Sequence, residues 1–304
     1  MAAGLHHAGG GQRSGDLVAY GVLSLISIYC AIPFVWTFLA SFDRDAALFL
    51  KLPTDWTFAN YTRIFLIENG TRWFLNSIFV VLAVTLLVMV CAGLGGYALS
   101  RTQARWKRPF LYIIVLIRVV PPPALIVPLY KVLLGANDGM GLLVRAVTPP
   151  DYVRPTMLVL GFVDGYLGII LVLTAMQLPL ALWIMKTFFD TVSRDYDEAA
   201  LLDGATLLQR IRLVLIPLAL PGLAATGLFA FISAWGDFLM PLIFISSPEL
   251  QMLPLGLFRA FLRVQTVDYG FLTALAVLYM LPAVVAFGFA RNFLVQTFGG
   301  GVKG

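Results

Sequence analysis

Four acids stand within ten residues in Asp195-Tyr196-Asp197-Glu198-Ala199-Ala200-Leu201-Leu202-Asp203-Gly204, the densest acidic group of a chain that holds 16 acids in 304 residues. Clustered carboxylates do acid–base or metal chemistry when histidine or cysteine joins them. None does here. His6 and His7 lie in the N-terminal tail, and Cys30 and Cys91 sit singly in apolar runs. The Gly-rich loop ending in Lys and Ser/Thr that cradles nucleotide phosphates does not occur. The spacing suits docking instead of catalysis. Asp195 is placed to cap a helix with Glu198 as its capping-box partner. Ala199 and Ala200 keep that helix smooth, and Gly204 permits a left-handed exit or a close backbone approach. A second helical stretch, Ala205 to Val214, leads to Pro217. Two short helices joined at a glycine result, with no catalytic residue among them.

A second set of residues stands out because ionisable groups at membrane depth cost about 2.5–3.5 kcal/mol each on insertion scales. Arg118 and Asp237 are the main two, each within an apolar run. Arg118 precedes the helix-breaking run Pro121-Pro122-Pro123, which frees backbone carbonyls nearby. With Trp235 the pair is read as a gate or subunit contact, and a structural pairing of Arg118 with Asp237 fits equally well. Gln177, Asn76, Tyr112, Trp183 and Trp235 have the chemistry to hold a sugar. Aromatics at span ends also form the interfacial belt, so no sugar ligand is assigned.

The elements that must position these residues follow from composition. The chain is 60% hydrophobic and 12% charged, against about 45–50% and about 25% in soluble domains. A helix needs about 20 apolar residues to cross the hydrocarbon core. Six such runs are predicted, at 17–40, 74–99, 110–133, 167–189, 215–245 and 271–293, making an all-α integral membrane protein. Lipid is therefore its solvent. The net charge of +5 is assigned to membrane topology and not to nucleic acid, because Arg101, Arg105, Lys107 and Arg108 crowd one short loop and mark it as cytoplasmic. An even number of spans then puts both termini in the cytoplasm. The expected organisation is a tail over 1–16, a membrane domain over 17–293 and a tail over 294–304. Within the domain, 190–217 is the cytoplasmic docking loop. The stretch 135–165 is read as an outer insertion with turn residues at both ends and breakers at Pro149-Pro150 and Arg154-Pro155, whose short apolar run, Met157 to Val163, is expected to form a re-entrant or surface segment.

At 198–217 the chain resembles the permease subunits of ABC importers, whose cytoplasmic loop reads Glu-Ala-Ala, three residues, Gly, nine residues, Ile, one residue, Leu-Pro. Glu198-Ala199-Ala200, Gly204, Val214 and Ile216-Pro217 stand at those spacings. The resemblance implies a type I importer fold in which Glu198, Ala199, Ala200, Asp203 and Gly204 dock a separate cytoplasmic ATPase dimer that binds ATP and Mg, with no cofactor in this chain. Asn60-Tyr61, Asn76-Ser77, Gly96-Tyr97-Ala98 and Pro128-Leu129-Tyr130 look like the carbohydrate branch. So does the tail Gly301-Val302-Lys303-Gly304, which is similar to that of maltose permease subunits. The branch implies a second permease chain, an extracytoplasmic sugar-binding protein, a bacterial or archaeal cytoplasmic membrane, and a di- or oligosaccharide as substrate, with glycerol 3-phosphate or a polyol as the alternative. An ion-coupled secondary transporter would need buried carboxylates and internal repeats, and Asp237 is almost alone. A lipid-modifying membrane enzyme would need His, Asp or Glu clustered at the membrane surface, and the acid-rich segment is the docking loop itself.

Overall fold

The computed structural model describes residues 10–66, 69–262 and 267–299, with side chains over 17–66, 69–262 and 267–291. Tail residues Met1 to Gly9 and Gly300 to Gly304 lie outside the described residues, and with them the maltose-type C-terminus. Among the described residues every regular element is helical, apart from one isolated bridge between Asp43 and Trp56. The chain divides into two compact units, residues 1–68 with 260–278, and residues 69–259 with 279–304.

In the first unit, α1 (Gly10–Ala40) leads through a loop to α2 (Ala59–Leu66). The loop is fastened by Asn60, whose amide donates to the carbonyls of Ser41 (3.0 Å) and Asp43 (3.2 Å). Tyr61 bonds the Ser41 hydroxyl at 2.8 Å. Gly270 is required there because a Cβ would lie 2.6 Å from the Asp43 carbonyl. The pair Asn60-Tyr61 thus has a packing role.

The second unit is built on α3 (Gly70–Arg101), α7 (Tyr166–Thr191) and α11 (Leu220–Trp235). Val80, Val84, Val88, Ala92 and Gly96 form one row of α3, and Ile169, Leu173, Gln177, Ala181, Met185 and Phe189 one row of α7; all are buried. Rows of every fourth residue are the ridges by which helices interlock. Small residues let the backbones close in where hydrocarbon gives no hydrophobic drive. At Gly96 a Cβ would stand 2.6 Å from the Met185 Cβ and 2.8 Å from the Lys186 nitrogen, so only glycine fits. Near the start of α3, Asn76 Nδ2 donates to the carbonyls of Glu249 and Gln251, both at 2.9 Å, and its Oδ1 accepts from the Tyr166 hydroxyl at 2.7 Å.

Among the described residues, four helices are long and apolar enough to cross a membrane: Leu17–Ala40, Gly70–Arg101, Tyr166–Thr191 and Tyr269–Arg291. They coincide with the first, second, fourth and sixth expected spans. The last of them is the apolar part of α14 (Tyr269–Gly299). The third and fifth are not single helices. α4 (Lys107–Ile117) and α5 (Pro122–Val147) meet at 100°, because Pro121 to Pro123 bring no N–H to the preceding turn. The segment Leu207–Leu218 meets Leu220–Trp235 at 79°, between Pro217 and Pro221. That segment is a turn of α9 (Leu207–Gln209), a π-helical stretch (Arg210–Leu215) and a turn of α10 (Ile216–Leu218). α12 (Leu239–Phe244) and α13 (Leu253–Phe261) follow. No break occurs at Gly135, contrary to expectation: α5 runs through Gly135, Gly139 and Gly141 to Val147, and α6 (Pro150–Leu160) follows it.

Candidate functional site

The acidic segment forms α8 (Asp195–Leu202). Its expected cap is corrected by the structure. Asp195 lies inside the helix, and Ser193 supports the first turn, its hydroxyl accepting from the Asp195 N–H (3.2 Å) and donating to Asp195 Oδ2 (2.9 Å). Asp195, Asp197 and Glu198 fill the first turn, where negative charge complements the exposed N–H groups.

The exit is sharper than the spacing alone specifies. Gly204 adopts φ +77°, a conformation open to glycine at little cost. Its N–H donates to the Leu201 carbonyl and the Ala205 N–H to the Ala200 carbonyl, both at 3.0 Å. These two bonds make a Schellman turn. Nothing lies within 4 Å of the position a Gly204 Cβ would take, so conformation, and not crowding within the chain, requires the glycine. The capping box expected at Asp195 occurs one helix later. The Thr206 N–H donates to Gln209 Oε1 at 2.8 Å, and the Gln209 N–H to Thr206 Oγ1 at 3.4 Å.

α8 has one bare side and one held side. Glu198, Ala199, Asp203 and Gly204 are exposed and Ala200 is half-buried. Leu202, at 89% exposure, and Leu201, Leu207 and Leu208 stand out around the turn. Asp197 on the other side is buried. Its Oδ2 accepts from Arg101 Nε at 2.6 Å and its Oδ1 from the Tyr97 hydroxyl at 3.1 Å. Arg101 also donates to the carbonyls of Phe189 (3.1 Å) and Val192 (3.2 Å). One guanidinium therefore ties the ends of α3 and α7 to α8. Beside it the Ser100 hydroxyl donates to Asp190 at 2.8 Å, and Lys186 pairs with Asp190. Sequence reasoning missed Arg101, Tyr97 and Asp197 as members of the site. Arg101 was counted only as a topology marker and Tyr97 only within a resembling tripeptide.

The second set of residues is partly gathered. Arg118 and Asp237 line one cavity of about 310 Å³, together with Gln177 and Ser233. The expected pairing of Arg118 with Asp237 is not made: among the described residues no ion pair includes either one. The Arg118 guanidinium lies 5.7 Å from the Phe229 ring centroid, and Asp237 Oδ1 accepts from the Met240 N–H at 2.9 Å. Trp235 is not in that lining. It is buried, stacked on Phe231 and Tyr279, and braced by Nε1 donating to the Tyr279 carbonyl at 2.8 Å while the Tyr279 hydroxyl donates back to the Trp235 carbonyl at 2.9 Å.

The model of the family described as "Binding-protein-dependent transport system inner membrane component" matches residues 89–298, more than half of the chain and inclusive of both sets. The chain belongs to this family. It is a multi-pass membrane protein and a permease subunit of a transport system. It is 28% identical to the diacetylchitobiose uptake system permease protein NgcG of Streptomyces coelicolor, over 92% of this chain and 86% of that one. It is also 28% identical to the maltodextrin transport system permease protein MdxG of Bacillus subtilis, over 95% and 96%. A chain of a bacterial ABC transporter involved in the import of the acidic polysaccharide alginate shares its fold, with a TM-score of 0.74 at 20% identity, covering 95% of this chain and all of that one. The all-α importer permease fold expected from the sequence is thereby borne out.

Proposed function

We propose that this chain is one of two permease subunits of an ATP-driven importer of di- or oligosaccharides, and that α8 with its Gly204 turn seats in a cleft of a separate cytoplasmic ATPase dimer. The observation that carries the docking is the two-sidedness of α8. Asp197 is held from behind by Arg101, and Glu198, Ala199, Asp203, Gly204 and the flanking leucines are left bare. Exposed apolar residues rimmed by charge mark protein-interaction surfaces. Support for the substrate class comes from relatives named for diacetylchitobiose and maltodextrin.

On this reading the loop 190–217 and both chain termini are cytoplasmic, and an extracytoplasmic sugar-binding protein delivers the cargo. The ATPase holds ATP and Mg, since this chain has no phosphate-cradling loop. ATP binding moves the docked helix, and the Arg101 clasp carries the displacement into α3 and α7, so that the pathway opens to one side and then the other. The energy is spent in the partner and used here.

Co-purification of the tagged chain with its ATPase tests the docking. Gly204→Asp adds bulk and charge to the bare face; the left-handed backbone there strains any side chain, aspartate less than most. Interface hot spots are worth about 2 kcal/mol or more, equivalent to at least about a thirtyfold weakening. The expected result is an ATPase recovered with wild type and lost with the variant, at equal yield of the membrane chain. An ATPase retained by Gly204→Asp removes α8 as the docking element.

A further inference from the structure

The cavity of about 310 Å³ between the α4–α5 break, α7 and the end of α11 holds polar groups that the fold leaves unused. Gln177 is only 6% exposed, yet its amide makes no hydrogen bond among the described residues. The residue lines the cavity, and a polar group open to a cavity is available to whatever enters it. Ser233, on the same lining, likewise makes no side-chain hydrogen bond among the described residues. Arg118 has the Phe229 ring as neighbour and, among the described residues, no ion pair, and Asp237 accepts from the backbone N–H groups of Met240 and Leu239. Pro179, also on the lining, brings no N–H to the Ala175 carbonyl one turn before it. The volume is at the lower end of the about 300–1,000 Å³ typical of small-molecule sites, which combine apolar walls with a few convergent polar groups. A neighbouring cavity of about 420 Å³ shares Arg118 and Pro179 and adds the face of Trp183.

We infer that this cavity is a saccharide-contact site belonging to this chain. Gln177 and Ser233 each donate and accept, Arg118 donates and Asp237 accepts, which is the mixture that vicinal hydroxyls require. Trp183, on the lining of the neighbouring cavity that shares Arg118 and Pro179, supplies the flat apolar face on which a sugar ring lies. Within this chain the Gln177 amide is left open, whereas the amides of Asn60 and Asn76 are closed on backbone carbonyls. The inference rests on the carbohydrate-importer reading above and assigns part of the pathway to this subunit instead of leaving it to the companion permease.

The test is uptake of a panel of radiolabelled saccharides that includes diacetylchitobiose and maltotriose, in cells that express the complete transporter with its binding protein. It is run on wild type, Gln177→Leu and Ser233→Ala, with recovery of the whole complex measured alongside. Loss of a hydrogen bond to the cargo should lower uptake about fivefold to tenfold in each variant, with the companion permease and ATPase recovered as in wild type. Unchanged uptake in both variants overturns the site. So does loss of the companion permease from the complex, which would make the cavity a subunit contact. Wild type that imports no saccharide of the panel fails the carbohydrate reading itself, a result distinct from the other two.

Discussion

Asp197 decides how α8 is presented. Its side chain and that of Arg101 are 12% and 15% exposed, so the pair is shielded enough for its bonds to count. Hydrogen bonds to charged groups contribute about 1.5–3 kcal/mol. Asp197→Ala is therefore expected to speed amide exchange of the first turn of α8 roughly tenfold to hundredfold, read by mass spectrometry in detergent. Asp197→Asn, which keeps an acceptor for Tyr97, should fall between the two. Equal exchange in wild type and Asp197→Ala would mean that the clasp does not orient the helix. At this scale the sequence was legible where a residue's job is set by its neighbours in the chain. Gly204 stands where the turn needs it, because the Schellman geometry is local. Arg101 with Asp197 was not legible, since 95 intervening residues separate partners that only packing brings to 2.6 Å. The cap was misread for a related reason. Asp195 and Ser193 are both good capping residues, and which of them supports the helix depends on where α7 ends.

Among elements, α3 and α7 carry the frame, and two glycines separate packing from mere tolerance. Gly96→Ala drives a Cβ against the backbone of α7 and is expected to cost about 1–3 kcal/mol, as overpacking does. Gly135→Ala in α5 meets nothing within 4 Å and should be stabilising by about 0.4–1 kcal/mol. Thermal unfolding in detergent should show the midpoint falling for the first and rising for the second; the reverse order would deny the close α3–α7 approach. The same pair explains a misjudged boundary. Gly135 looks like a breaker in sequence, yet the α5 backbone is regular there, and breaking is done instead by Pro121 to Pro123, where N–H groups are missing. The loop after α1 has its own pH signature. Burial pushes the Asp43 carboxyl up, but the Asp55 N–H, the Lys51 ammonium and the Asp45 N–H outweigh it and hold the group below its ordinary value of 3.8. A carboxyl lowered in the folded state contributes stability above its unfolded value and loses it as pH falls through the folded one. The unfolding midpoint of wild type should therefore exceed that of Asp43→Asn at pH 6, and the gap should close below pH 3.8. A gap that persists unchanged into that range would show that the Asp43 charge is not what fastens the loop.

For the whole molecule, the contacts at the two ends of α3 settle how often the second unit crosses the membrane. At its start, α3 meets the start of α7 and the segment 249–251 through Asn76. At its end it meets the end of α7 and α8 through Arg101. α3 and α7 therefore run in the same direction, and each is long enough to cross on its own. The chain between them must return once, which makes the bent pair α4 and α5 one crossing and not a re-entrant hairpin. The stretch from α8 to residue 249 must likewise return once, through α9 to α12. Over all the described residues, length and composition alone leave the count between four and six; these contacts choose one crossing for each broken pair. Single cysteines at Ala104, Gly204 and Ser247, in a chain with Cys30 and Cys91 replaced, report the outcome to a membrane-impermeant thiol reagent applied to intact cells and to inverted vesicles. With the bases Arg101, Arg105, Lys107 and Arg108 expected on the cytoplasmic side, Ala104 and Gly204 should label together from the inside and Ser247 from the outside. If Gly204 labels from the outside instead, the α4–α5 pair does not cross, and α8 faces away from any cytoplasmic ATPase.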